Sequence, residues 1–166
     1  MVKDINEIID SFKKQDQGVP EVDAIAGIRR LPSPKDIEKA VKWYESNRCL
    51  YEELAEEVEK IIKSNLKAEK IVVHDIVSRA KTVESYKKKS SKYSDPINQI
   101  QDNAGVRVIC FVPQDVDKVC NIIKNIFFID NANSIDKSLL LKNDQVGYRS
   151  VHYIAKFDYD RATLPE

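Results

Sequence analysis

The stretch Asp102 to Val112, DNAGVRVICFV, limits the fold more than any other part of the chain. A carboxylate is followed by Gly105, expected at a tight turn, and then by an apolar run. Val106, Val108, Cys110 and Val112 share one face of a strand, while Ile109 and Phe111 fill the other behind Arg107. With both faces apolar, the pattern predicts a central strand covered on each side. Asp102 and Arg107 at its start are poorly placed for packing. An acid there can hold a metal, and an arginine there can face phosphate oxygens.

A chain of 166 residues, 42% of them apolar, can bury one core of ordinary size. Its 27 basic and 27 acidic residues cancel, which argues against a surface that coats nucleic acid generally. Any anionic ligand therefore meets a local patch. Cys49, Cys110 and Cys120 are odd in number, lack a C-x-x-C pairing and sit among apolar neighbours, so reduced structural thiols are expected. No apolar run reaches membrane-spanning length, and MVKDINEIID has no signal-peptide core. The expectation is a soluble, cytoplasmic protein without membrane contact.

Ile5, Ile8, Ile9 and Phe12 have helical spacing, with Gly18 and Pro20 as stops. Ser33, Pro34 and Asp36 then predict a helix start: a hydroxyl cap, proline in the first turn, and an acid three residues after the cap. Ile37, Val41 and Tyr44 form one apolar stripe. Tyr51, Leu54, Val58, Ile61 and Ile62 form another, out of phase across Ser46 to Arg48, which predicts two helices or one kinked helix. The acidic run from Glu52 to Glu59 reads as a solvated face.

Ile71 to Val77 reads as an extended run, and the segment after it, SRAKTVESYKKKSSK, concentrates positive charge. If the strand continues, Arg79 and Lys81 point to the same side and can grip one polyanion. Thr82 is a helix cap, and Ser85 and Lys89, four apart on one face, extend the same basic surface. A lysine triplet is by itself more often only solvated. Beyond the central strand, Pro113, Gln114 and Asp115 start a helix whose Val116, Val119, Ile122 and Ile123 face a sheet, and Phe127 to Ile129 suggests a short strand. Residues 130–145 read as a surface loop or partial lid containing Leu139 to Leu141. In VGYRSVHYIAKF, the residues Val151, Tyr153, Ala155 and Phe157 alternate on one face, and Tyr148, Ser150 and His152 on the other. A ring beside a hydroxyl and an imidazole makes a base-stacking platform.

SRAKTVESYKKK, IQDNAGVRVICF and GYRSVHYI, in this order over Ile71 to Phe157, resemble the synthetase domain of the RelA/SpoT family. These are alarmone synthetases of the stringent response, which transfer pyrophosphate from ATP to the 3′-hydroxyl of GDP or GTP. The resemblance implies an α+β class: a nucleotidyltransferase-like mixed β-sheet flanked by helices. The order would be strand, helix, strand, helix, strand, with residues 1–70 an N-terminal helical segment packed on a synthetase core at 71–166. It also implies ATP as donor, Mg²⁺ as cofactor and a guanosine nucleotide as acceptor, and it leaves a homo-oligomer open.

By this resemblance Arg79 stacks on the adenine of ATP, and Lys81, Ser85 and Lys89 surround the donor phosphates. Asp102 binds Mg²⁺, Arg107 lies near the donor nucleotide, Tyr148 stacks on guanine and His152 lies close to the acceptor. Lys137 matches a basic residue before the acceptor motif. Phosphoryl-type transfer asks for positioning and charge neutralisation and needs no covalent nucleophile. Each residue also has a plainer reading from sequence alone. Asp102 is a turn or capping acid, Arg107 its buried structural partner, Tyr148 core filling, and His152 a hydrogen-bonded sheet residue.

Two features depart from the family pattern. Asp144, Gln145 and Val146 stand where many relatives carry Lys and Asn before the Gly-Tyr pair, so the acceptor contacts differ. The family's second carboxylate, in a Glu-x-Gln-x-Arg-Thr strand, has no counterpart after Phe157. The expectation is an N-terminal piece of a longer GTP pyrophosphokinase, inactive as it stands. A toxin-like relative that pyrophosphorylates tRNA 3′ ends, and a non-catalytic nucleotide-binding module, remain as alternatives.

Overall fold

The computed structural model describes residues 31–136 and 150–157. The short helix expected around Ile5 to Phe12 and the apolar island Leu139 to Leu141 lie outside the described residues. Helix α1 spans Pro34–Ala68, followed by β1 (Asp75–Ala80), α2 (Val83–Ser90), α3 (Pro96–Gln99) and β2 (Ala104–Ile109). Helix α4 (Pro113–Ile126) and strands β3 (Phe127–Ile129), β4 (Ile135–Asp136), β5 (Val151–His152) and β6 (Ala155–Phe157) complete the order. The class is α+β, and the expected alternation of strand, helix, strand, helix, strand holds from β1 to β3. The described strands pair as β1 with β2, β3 with β6, and β4 with β5.

The start of α1 follows its local chemistry. Ser33 Oγ accepts from the Asp36 N–H at 3.3 Å, and Asp36 Oδ2 accepts from the Ser33 N–H at 2.9 Å, a reciprocal capping box. Where a phase slip suggested two helices or a kink, α1 is one helix. Its buried positions include Ala40, Tyr44, Ala55, Ile62 and Leu66. Two alanines thus continue the stripe where large apolar residues do not. At the other end the Ile71 N–H donates to Leu66 O and the Lys70 N–H to Lys67 O, with Lys70 at φ 55°. That is a Schellman stop with lysine in the left-handed position.

The chain divides into two compact units, 1–59 with 77–106 and 60–76 with 107–166. The core of the first joins Ala40, Tyr44, Tyr86 and Ile100, with Val41, Trp43, Tyr51, Val83, Tyr93 and Ile97 packed against it. Tyr44 and Tyr86 stack at 4.1 Å between ring centroids with 3° between planes. In the second unit, α4 buries Val119, Cys120 and Ile122, and Phe127 packs edge-on against Phe157 at 5.5 Å.

Several expectations need correction. Gly105 lies inside β2 and not at a turn, and no glycine among the described residues has a positive φ. The strand is not buried on both faces: Val106 and Val108 are half-buried, Gly105 and Arg107 are exposed, and Phe111 beyond the strand is 63% exposed. Among the described residues β2 has one neighbouring strand, so its alternation is that of a strand covered on one side. The first strand begins at Asp75 and not at Ile71. Strands β5 and β6 are separate because the extended ladder is interrupted at Tyr153 and Ile154. There the Ile154 N–H donates to Ser134 Oγ at 2.9 Å, and Ile154 O accepts from the Asp130 N–H at 2.8 Å. The loop after Asp130 contains β4, which pairs with β5 through Ile135 opposite His152 and Asp136 opposite Val151. Cys49 is exposed and so is not in apolar surroundings, whereas Cys120 is buried. No described helix is long and apolar enough to cross a membrane.

Candidate functional site

Strand β1 ends where β2 begins, since the Lys81 N–H donates to Asn103 O at 2.8 Å. This pairing sets Lys81 beside Asp102. Lys81 Nζ reaches Asp102 Oδ2 at 2.9 Å. Thr82 then caps α2: its Oγ1 accepts from the Ser85 N–H at 3.2 Å, and its hydroxyl donates to Ser85 Oγ at 2.8 Å. The short helix carries Lys89 to its last turn, where Nζ stands 2.8 Å from Asp102 Oδ1. Both oxygens of the Asp102 carboxylate thus face an ammonium group. Burial by itself raises the Asp102 carboxyl. The ammonium groups of Lys89 and Lys81 outweigh it and hold the carboxyl below its ordinary range.

The structure therefore brings together Lys81, Lys89 and Asp102, with Ser85 exposed one turn before Lys89 on α2. Arg79 is exposed on β1, on the face it shares with Asp75 and Val77, and has no ion pair among the described residues. Arg107 is exposed on β2 and belongs to the second unit. So does His152, exposed on β5, with Nε2 2.9 Å from Ser150 Oγ. Lys137 and Tyr148 lie outside the described residues.

Sequence reasoning assigned Tyr44 to an apolar stripe and missed its polar end. The Tyr44 hydroxyl donates to Lys81 O at 2.6 Å, and Arg48 Nε donates to the same oxygen at 3.3 Å. No spacing signal marks these contacts, because they depend on where α1 passes the end of β1.

The described residues hold no cluster of three or more His, Cys, Asp or Glu side chains able to cage a metal. Asp102 is one carboxylate with an ammonium at each oxygen, so a Mg²⁺ held there would share it with the lysines and take its other ligands from water and phosphate oxygens, the arrangement that ion ordinarily takes with nucleotides. A separate open cavity of 660 Å³ in the second unit, bordered by Lys70, Val72, Lys118 and Asn121 among others, contains none of the candidate residues. The paired lysines and their acid, where charge is concentrated, are the better candidate.

The family model described as the region found in RelA / SpoT proteins matches residues 78–164, more than half of the chain. No curated protein matches.

Proposed function

This chain belongs to the RelA/SpoT family, and we propose that it is a cytoplasmic, (p)ppGpp-synthetase-like protein whose Lys81, Lys89 and Asp102 form the donor side of pyrophosphate transfer from ATP to the 3′-hydroxyl of GDP or GTP. The observation that carries the reading is the excess of cation at one point: two ammonium groups within 3 Å of a single carboxylate leave a net positive cluster. Such a cluster is matched by the polyphosphate of a nucleotide.

In this reading Lys81 and Lys89 meet the donor phosphates and spread the charge that develops on them, and Arg79 offers its guanidinium plane to adenine. The acceptor 3′ oxygen bonds to the β-phosphorus while the bond to the α-phosphate oxygen breaks, AMP leaves and the hydroxyl proton is released. Mg²⁺, when bound, would be held through Asp102 and would neutralise phosphate charge. Arg107 is proposed near the donor nucleotide. Tyr148 and His152, with Lys137, are proposed on the acceptor side.

The test incubates the full-length protein with β-labelled ATP and either GDP, GTP or deacylated tRNA. Label in a guanosine nucleotide supports the reading. Label in tRNA alone replaces the acceptor, and ATP binding without transfer to any of them leaves a nucleotide-binding module.

A further inference from the structure

We propose that Tyr44, on the helix that precedes the matched region, is a positioning residue for the donor site, its hydroxyl fixing the backbone from which Lys81 and Asp102 project. The inference rests on the reading of Lys81 and Asp102 as donor-side groups. Tyr44 is fully buried, with Tyr86 stacked at 4.1 Å and Tyr51 at 5.7 Å, so its ring has one place to be. That fixed ring aims the hydroxyl at Lys81 O, 2.6 Å away, and puts it 3.5 Å from Asn103 O. Asn103 follows Asp102 in the chain, and its carbonyl also takes the Lys81 N–H. The single phenol proton thus goes to Lys81 O at the exit of β1, and the Lys81 N–H in turn holds Asn103 O at the entry of β2, the point where both charged side chains emerge.

Packing alone does not require this hydroxyl, since phenylalanine would fill the same stack. Burial pushes the phenol up to about 12, so at neutral pH it remains a donor. Arg48, one turn further along α1 and held by Glu52 at 2.8 Å, gives the same carbonyl a second donor. With both, Lys81 O is saturated and the peptide plane after Lys81 is fixed. A loose plane there would free the backbone that carries Lys81, whose side chain is long and otherwise mobile and makes its contact with Asp102 at 2.9 Å.

The test uses Tyr44→Phe in the full chain and two readouts. Without nucleotide, amide hydrogen exchange is followed residue by residue. The Lys81 amide should exchange roughly tenfold faster while the Ala40 and Tyr86 amides keep their rates. Unchanged exchange at Lys81, or equal acceleration throughout, overturns the proposal. ATP affinity is then measured for the unaltered protein, Tyr44→Phe, Lys81→Ala and the double variant. Tyr44→Phe should weaken ATP about fivefold, and in the Lys81→Ala background it should have no effect. Equal losses in both backgrounds would make Tyr44 merely structural and overturn its positioning role. If the unaltered protein binds no ATP, the donor-site reading falls and the positioning role with it, while exchange confined to Lys81 would still identify the backbone tie.

Discussion

Lys89 Nζ lies 2.8 Å from Asp102 Oδ1, an ion pair between the last turn of α2 and the residue that leads into β2. Lys81 takes the other oxygen at 2.9 Å, so the acid is outnumbered by its partners. The Asp102 side chain is 40% exposed, and screening by water limits what such pairs add to stability. Their arrangement matters more for ligand charge than for the fold.

Asp102→Asn should therefore separate binding from transfer. The substitution keeps the shape and removes the one negative charge between two cations. ATP without metal should bind at least as tightly as before, and the thermal unfolding midpoint should change little. In the full-length protein, transfer to a guanosine nucleotide should fall by about a hundredfold or more. Calorimetry with and without Mg²⁺, beside a transfer assay, checks each part, and unchanged turnover would remove Asp102 from its assigned role.

The same carboxyl gives a pH dependence with a definite sign. Its folded value is depressed below the ordinary 3.8, so the unfolded chain takes up the proton first as pH falls. The contribution of Asp102 is present in full above its unfolded value and is lost as pH drops through the lower folded one. Unfolding of the wild type and of Asp102→Asn compared from pH 7 to pH 2 should show a constant difference down to about pH 5, shrinking only in more acid solution. A difference that grows on acidification would mean the lysines do not hold the carboxyl as described.

What could be read in the sequence was chemistry confined to near neighbours along the chain. Ser33 with Asp36, Thr82 with Ser85, and the apolar face of α4 all follow from spacings of three and four. The exposure of Phe111 could not be read, because an apolar strand does not say how many neighbours cover its faces. The unbroken α1 was obscured by counting only large apolar residues, when Ala40 and Ala55 carry the buried stripe through. Tyr44 was legible as a ring and not as a donor, since its carbonyl partners lie far along the chain. Lys81, Lys89 and Asp102 were grouped only through the family resemblance, and their ion pairs were not legible, because they join residues 13 and 21 positions apart.

The stop of α1 offers a stabilising change. Lys70 holds φ 55°, a conformation that costs a residue with a Cβ about 1–2 kcal/mol. Glycine adopts it freely, at the expense of greater freedom in the unfolded chain. Lys70→Gly should raise stability by about 0.5–1 kcal/mol in denaturant unfolding, and Lys70→Ala should not. Equal effects from the two would show that the left-handed backbone contributes nothing there.

Arg79 is the clearest test of the adenine contact, because its loss should leave the protein otherwise intact. The side chain is exposed, sits on the same strand face as Asp75 and Val77, and makes no ion pair among the described residues. Arg79→Ala should thus leave the unfolding midpoint within error of the wild type. A guanidinium stacked on a purine contributes about 1–2 kcal/mol, so ATP affinity should fall roughly tenfold. Lysine restores the charge without the plane, and Arg79→Lys should recover little of the loss. Inorganic triphosphate, which has phosphates and no base, should bind the wild type and both variants nearly alike. If triphosphate binding weakens as much as ATP binding, Arg79 serves the phosphates and does not stack on the base.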